Sequence, residues 1–180
     1  FVIVCGKVVK SGYSADSSGV YSGDKGAGYA YYNNGILTLD QYRHIDSNNR
    51  GIQAYSDLTV RVIGDSNSYI TLTNNRYAMA IFGNLTLTGS QKLQLASATN
   101  PVYVEGNMTL AGSDLTLNAN GNAKSLEING NLNVNSGRLE TYNGNETGIY
   151  VTGNMTMTGG SVYVSGKKNG IHLPNGKLTV

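Results

Sequence analysis

The sequence predicts an all-β protein: a right-handed parallel β-helix, or three-sided β-solenoid, with about six coils of roughly 23 residues. A short motif of the form Gly, polar, apolar, polar, apolar recurs along the chain at nearly constant intervals. Apolar and polar residues alternate with a period of two between the copies, and no stretch of useful length has the 3.6-residue period of a helix. Recurrence and alternation together favour a coil of short strands.

The recurring motif defines the first of three strands in each coil. The first apolar residues of its five clear copies lie at positions 85, 108, 132, 155 and 178, so the spacings are 23, 24, 23 and 23 residues. Two degenerate copies, at 57–60 and 36–39, extend the series toward the N-terminus. This alignment places Leu37 and Leu58 in one column with Leu85.

Two further alternating segments complete each coil and recur with the same period. The second strand is predicted at 70–72, 93–95, 115–117, 139–141 and 162–164, and the third at 52–54, 79–81, 102–104, 126–128, 149–151 and 171–173. Because the strongest likeness is between residues one period apart, each strand should pair in parallel with its equivalent about 4.8 Å away. Stacked aliphatic side chains then fill the coil. Gly and Asn are expected at its corners, in the left-handed conformation that they tolerate.

Residues 1–35 lack the repeat and are predicted to form an N-terminal capping segment, and residues 36–180 to form the β-helix repeats. An open solenoid end exposes core side chains and unpaired strand edges, so a non-repeating cover is physically expected. The last predicted strand reaches Val180 without a polar finish. This ending indicates either a cut inside a longer protein or an end that stacks on another chain.

Composition and charge exclude several partners. Charged residues are 13% of the 180 residues and the net charge is +2, so neither nucleic acid nor an anionic membrane surface is an expected partner. The longest apolar run is far shorter than the roughly 20 residues of a membrane-spanning helix. The single cysteine, Cys5, permits no internal disulfide. Neither His44 nor His172 belongs to a sequence pattern with the spacing of metal ligands or a catalytic triad.

Three segments, in order along the chain, carry a resemblance to a known family. Residues 4–9 are similar to its opening strand with a Gly-centred turn, residues 31–39 to its aromatic, turn and Thr-Leu strand, and residues 51–60 to the coils that follow. The family is that of the carbohydrate-binding-domain β-helix modules of large secreted and surface proteins from gut and rumen anaerobic bacteria. The resemblance covers nearly the whole chain. It implies a non-catalytic module, extracellular or on the bacterial cell surface, that binds polysaccharide or another surface glycan.

Six outward residues form the predicted glycan-binding surface. Exposed rings on a flat sheet stack on sugar faces, while nearby carboxylate and amide groups hydrogen-bond to sugar hydroxyls. The rings are Tyr103, Tyr150 and Tyr163, and the hydrogen-bonding groups are Glu127, Glu140 and Gln94. Tyr is also common on the outer face of sheets for structural reasons alone. An ordinary strand surface is therefore the alternative interpretation of these residues.

Other functions stay open at this point. The rod could be a structural spacer, or a fibre subunit that forms homo-oligomers by stacking end to end. Polysaccharide lyases share the parallel β-helix and combine carboxylate-bound calcium with a basic residue. No two Asp or Glu residues occupy neighbouring coils of one predicted column, so no clear calcium site is predicted, and the protein is expected to be neither an enzyme nor cofactor-dependent. Outward threonines are also typical of ice-binding solenoids, but Arg61, Ala111 and Asn135 interrupt their second row.

Overall fold

The computed structural model describes residues 1–46, 49–74, 77–121, 123–144 and 146–180, which form strands and no helix. The strands of the first 40 residues are β1 (Val2–Val4), β2 (Lys7–Val9), β3 (Tyr13–Ala15), β4 (Val20–Ser22), β5 (Tyr29–Asn33) and β6 (Ile36–Asp40). Then follow β7 (Arg43–Asp46), β8 (Ile52–Ala54), β9 (Leu58–Ile63), β10 (Ser68–Leu72), β11 (Met79–Ile81), β12 (Leu85–Gly89), β13 (Lys92–Ser97), β14 (Val102–Val104) and β15 (Met108–Ala111). The last are β16 (Asp114–Ala119), β17 (Leu126–Ile128), β18 (Leu132–Ser136), β19 (Arg138–Gly144), β20 (Thr147–Val151), β21 (Met155–Met157), β22 (Ser161–Gly166), β23 (Asn169–His172) and β24 (Leu178–Thr179).

The strands form three sheets, one on each side of a parallel β-helix. Sheet A has the order β2-β1-β8-β11-β14-β17-β20-β23, sheet B the order β24-β21-β18-β15-β12-β9-β6-β5-β3-β4, and sheet C the order β22-β19-β16-β13-β10-β7. All pairings among β6–β24 are parallel and join equivalent strands of successive coils. The predicted β-solenoid of about six coils is therefore confirmed.

Inward side chains of equivalent strands stack in columns that fill the interior. In sheet B, Leu85 lies opposite Met108, and Met108 lies opposite Leu132. Each of the three is at most 2% exposed. Full burial of a side chain of this size stabilises the fold by about 1.5–3 kcal/mol before conformational entropy is subtracted. The stacking repeats this gain in every coil, which is how short strands without disulfides or helices maintain a core.

The two earliest predicted copies are shifted by two residues from their observed partners. Leu37 lies opposite Val60 rather than Leu58, and Ile70 lies opposite Leu95 rather than Leu93. Because side chains alternate with a period of two, a shift of two residues keeps the same side chains inside. Strand β6 also pairs with β5 in a hairpin, whose turn has φ 46° at Asn34 and 82° at Gly35 and is thus a primed turn. Val60 lies 23 residues after Leu37, so the observed register of β6 follows the regular period of the repeat.

The N-terminal segment pairs antiparallel. Strand β1 joins sheet A through β8, and β3, β4 and β5 extend sheet B beyond β6. At this end of the two sheets, the outermost strands, β2 and β4, are three residues long. Such short edge strands offer little template for pairing with another chain.

A ladder of side-chain hydrogen bonds runs along the corner between sheets A and B. Its members, which we call the asparagine ladder, are Asp57, Asn84, Asn107, Asn131 and Asn154. The side-chain Oδ1 of each member accepts a hydrogen bond at 2.8 Å from the backbone N–H of the next, and Asn154 accepts one at 2.9 Å from Lys177. The corner of each coil is thereby bonded to the corner of the coil before it.

The glycine that precedes each asparagine of the ladder is required by close approach rather than by its backbone angle. Gly83, Gly106, Gly130 and Gly153 have φ outside the left-handed region, so the expectation of left-handed corners was wrong here. A Cβ on Gly130 would lie 2.6 Å from the backbone oxygen of Gly106 and 2.7 Å from Oδ1 of Asn107. The expectation holds at the corner between sheets B and C, where φ is positive. The glycines there are Gly89 (121°), Gly112 (124°), Gly137 (84°) and Gly160 (75°).

Alanine at Gly130 should destabilise the protein, because its Cβ would force two successive coils apart. We expect the free energy of unfolding to fall by about 1–3 kcal/mol, the usual cost of overpacking. Gly170→Ala is the matched control. Gly170 also has φ outside the left-handed region, and its Cβ would meet only Cγ1 of Val164, at 3.9 Å. Urea denaturation of both variants measures the difference, and an equal effect of the two substitutions would contradict the close-approach explanation.

Candidate functional site

The six residues predicted to bind glycan lie on two sides of the β-helix rather than on one. Tyr103, Glu127 and Tyr150 are on neighbouring strands of sheet A, in one outward column. Gln94, Glu140 and Tyr163 share an outward column of sheet C, in which Thr116 lies between Gln94 and Glu140. The columns are those that the sequence predicts, but the six side chains form two separate surfaces.

Four aromatic rings make a continuous cluster on the outer face of sheet A. We call Tyr55, Phe82, Tyr77 and Tyr103 the aromatic strip. The rings of Tyr55 and Phe82 are stacked, with centroids 5.2 Å apart and planes 9° apart. The ring of Tyr103 lies between those of Phe82 and Tyr77 in the strip, with its centroid 5.9 Å from that of Phe82 and 5.5 Å from that of Tyr77. Only Tyr103 belongs to the predicted surface.

The aromatic strip is half packed on the sheet and half open to solvent. Ala80 lies opposite Tyr103 on the outer face, yet it is only 1% exposed, so its neighbours on that face cover it. Tyr55 at the rim is 60% exposed. Gln53 donates a hydrogen bond from Nε2 to the Tyr55 hydroxyl at 2.6 Å, which holds the exposed ring in place. The result is a fixed apolar surface with an accessible end.

Tyr103 gives the aromatic strip a polar edge. Its hydroxyl accepts a hydrogen bond at 3.0 Å from Nδ2 of Asn129, which is exposed. Partial burial, followed by the negative charges of Glu105 and Glu127, raises the pKa of Tyr103. The hydroxyl therefore stays protonated at neutral pH and can donate a hydrogen bond to a ligand.

The other two predicted residues of sheet A are engaged by neighbouring side chains. Glu127 accepts hydrogen bonds at 2.6 Å from Nζ of Lys124 and at 2.9 Å from Nδ2 of Asn100. The same Nζ lies 3.8 Å from the ring centroid of Tyr150, and the ring of His172 meets that of Tyr150 edge-on at 5.3 Å. A sugar could use the face of Tyr150 only by displacing Lys124. The aromatic strip is consequently the better candidate surface on sheet A.

On sheet C, Glu140 is the centre of a cluster of charged and hydroxyl groups. The residue is 5% exposed although it faces outward. Its carboxylate contacts Nζ of Lys92 at 3.5 Å and NH2 of Arg138 at 2.5 Å, and it accepts hydrogen bonds from the hydroxyls of Thr116 at 2.9 Å and Tyr142 at 3.2 Å. Burial alone would raise the pKa of Glu140, but these four partners together hold it below its ordinary value of 4.5.

Tyr163 lies beside this cluster and is 52% exposed. Its ring centroid is 5.6 Å from that of Tyr142, which makes a pair of rings rather than a strip. Gln94 is half-buried two strands away from Glu140. Since four protein groups engage the Glu140 carboxylate, this residue stabilises the outer face of sheet C.

The sequence reasoning missed Tyr55, Phe82 and Tyr77 because it considered only the outward positions within strands. Tyr55 and Phe82 follow β8 and β11 directly, at the corner between sheets A and B, and Tyr77 precedes β11. A signal was present in the sequence. Each of the two corner rings lies two residues before a member of the asparagine ladder, Tyr55 before Asp57 and Phe82 before Asn84. The two rings therefore occupy equivalent places in successive coils.

Within the described residues, no group of three His, Cys, Asp or Glu side chains could hold a metal ion. None of the described segments is a helix with the length and hydropathy to cross a membrane. Comparison of the chain with protein-family models, curated proteins and solved structures finds no match.

Replacement of Glu140 by Gln should destabilise the protein in a pH-dependent way. A carboxyl with a lowered pKa in the folded state stabilises that state above its unfolded pKa, and this stabilisation is lost as the pH falls through the folded pKa. We expect Glu140→Gln to reduce the free energy of unfolding by about 1–3 kcal/mol at pH 7. The difference should shrink as the pH falls below 4.5, the ordinary pKa of the group.

Denaturation of the wild type and the variant at pH 7 and pH 3 measures this effect. Glu105→Gln is the control, because Glu105 is exposed and should change stability little at either pH. A loss of stability in Glu140→Gln that is the same at both pH values would show that the charge of Glu140 is not its source.

Proposed function

We propose that the protein is a non-catalytic glycan-binding module that presents the aromatic strip of sheet A to polysaccharide. The observation that carries this proposal is the run of four contacting rings, from the exposed Tyr55 to the hydrogen-bonded Tyr103. An exposed cluster of rings on an otherwise polar surface is a feature of interaction sites.

The chemistry of the strip suits sugar rings. The face of an aromatic ring carries partial negative charge, which attracts the C–H groups on the flat face of a pyranose. Strands β8, β11 and β14, which carry or adjoin the rings, span about 10 Å at a strand spacing of about 4.8 Å. A surface of this length contacts an extended oligosaccharide rather than a single sugar.

Polar groups at the rim of the strip supply hydrogen bonds. Asn129 and Glu105 are exposed beside Tyr103, and the hydroxyls of Tyr55 and Tyr103 can bond to a ligand in addition to their present partners. Apolar faces bordered by a few polar groups are the usual composition of small-ligand sites. The combination favours a glycan over a purely apolar ligand.

Support for binding rather than catalysis comes from the state of the two carboxylates of the predicted surface, Glu127 and Glu140. Two protein groups engage Glu127, and four engage Glu140. A general acid or base needs access to the proton that it transfers. The extracellular or bacterial cell-surface location that we propose for the module follows from the sequence resemblance.

Tyr55→Ala should weaken glycan binding while leaving the fold intact. Removal of this exposed ring takes away one stacking surface, and we expect the Kd for a bound neutral oligosaccharide to rise about tenfold, or about 1.4 kcal/mol. Tyr163→Ala is the matched control, since Tyr163 is a similarly exposed tyrosine on sheet C. Isothermal titration of the wild type and of both variants with cellohexaose, xylohexaose and mannohexaose measures the Kd of each protein for each sugar. Failure of the wild type to bind any of these, or an equal loss in both variants, would contradict the proposal.

A further inference from the structure

A cleft opens at the start of sheet B, on the other side of the corner that carries Tyr55 and Phe82. Its volume is about 330 Å³, within the range of small-molecule sites. Ile36, Thr59 and Thr86 lie side by side on neighbouring strands of its floor. The cleft is also lined by Asn34, Gly35, Asp57, Leu58 and Asn84.

Asp57 is the exceptional member of the asparagine ladder. The four later members are asparagines, whose side-chain oxygens accept the backbone hydrogen bond as Asp57 does. The ladder therefore needs an oxygen at this position, but it does not need a negative charge. Asp57 and Asn84 both line the cleft, and the negative charge at the first of these two ladder positions calls for a further explanation.

The Asp57 carboxylate has acceptor capacity left for a ligand. Oδ1 accepts hydrogen bonds from the backbone N–H of Asn84 at 2.8 Å and from its Nδ2 at 3.1 Å, and Oδ2 accepts one from Nδ2 at 3.1 Å. Two carboxylate oxygens have about four acceptor positions in all. The bonds from Asn84 lower the pKa of Asp57, which keeps the group ionised at neutral pH.

The floor of the cleft offers both hydroxyl groups and an aliphatic surface. Thr59 and Thr86 are half-exposed, and neither side-chain hydroxyl bonds to any described residue. Ile36 is 44% exposed. A sugar ring has hydroxyl groups and a C–H face. The carboxylate and the two unbonded hydroxyls of the cleft match the sugar hydroxyls, and the aliphatic side chain matches the C–H face.

We propose that this cleft binds one sugar ring of a neutral glycan, with Asp57 accepting hydrogen bonds from two adjacent sugar hydroxyls. This inference rests on the proposed function and extends it. Tyr55 and Asp57 are two positions apart, so their Cα atoms are separated by at most about 7 Å. A glycan lying on the aromatic strip can therefore pass around the corner and place its next ring in the cleft.

The charge of the cleft determines which glycans it accepts. Among the described residues that line the cleft, Asp57 is the only ionisable one. A uronate would therefore bring a second carboxylate next to the first without a compensating cation in that lining. The cleft should accordingly select neutral sugars and reject acidic ones.

Asp57→Asn tests the role of the carboxylate without removing the ladder, because asparagine is the residue that the ladder uses in the later coils. We expect the Kd for the neutral hexasaccharide that the wild type binds best to rise at least tenfold, and the Kd for hexagalacturonate to fall. Thr59→Val and Thr86→Val should each raise the neutral Kd about fivefold, the effect of one lost hydrogen bond of about 1 kcal/mol. Asp114→Asn, the same change on sheet C, is the control and should alter neither Kd.

Binding is measured by isothermal titration on the full chain, with melting temperatures to confirm that each variant is folded. In parallel, the methyl resonances of Ile36, Thr59 and Thr86 should shift when the neutral glycan is added. If Tyr55→Ala weakens binding but Asp57→Asn, Thr59→Val and Thr86→Val do not, the cleft proposal is wrong and the aromatic strip stands. If only the cleft variants weaken binding, the strip proposal is wrong. If the wild type binds none of the neutral hexasaccharides, both are wrong.

Discussion

Each strand from β6 onward lies one strand spacing, about 4.8 Å, from its equivalent in the next coil, and the rest of the structure depends on this distance. Inward side chains must stack on side chains of similar size, as Leu85, Met108 and Leu132 do. The backbone must also fit at the corners, where a Cβ on Gly130 would collide with the coil before it. The asparagine ladder then supplies a hydrogen bond that fits the same spacing. Outward side chains that make none of these contacts are free of these restrictions, and this is where coils differ from one another.

The sequence predicts the repeating part of the fold well because stacking makes its constraints visible as a period. The columns of sheet A, from Ile52 through Met79 and Val102, were predicted residue by residue and are confirmed. The prediction was less accurate in the first coil, where the copies of the motif are degenerate. The match of Leu37 to Leu58 required a spacing of 21 residues, whereas Leu37 lies opposite Val60, 23 residues further on. The glycines at the corners were predicted. The sequence does not distinguish a glycine required by close approach from a glycine required by positive φ, because both causes select the same residue.

The candidate site was harder to predict, because it depends on how far side chains reach between columns. Lys92 extends across two strands to Glu140, and Lys124 joins Glu127 to the face of Tyr150. Neither contact follows from knowing which residues stack in each column. Both contacts engage predicted site residues and so make them less accessible to a ligand. The rings of the aromatic strip come from the corners and from a loop as well as from a strand. Only their arrangement in space shows that Tyr103 belongs with Tyr55, Phe82 and Tyr77.

The departures from the repeat concentrate around two successive coils, those of β8 and β11. Asp57 stands where later coils have asparagine, Tyr55 and Phe82 occupy a corner position at which later coils have Glu105, Asn129 and Thr152, and Ala80 is the smallest residue of its outward column. Stacking does not demand any of these residues, since neighbouring coils fold with others. They also lie on both sides of one corner whose backbone is hydrogen-bonded from coil to coil. Residues that the scaffold does not need, gathered on a corner that the asparagine ladder bonds from coil to coil, fit a binding site held by a rigid frame.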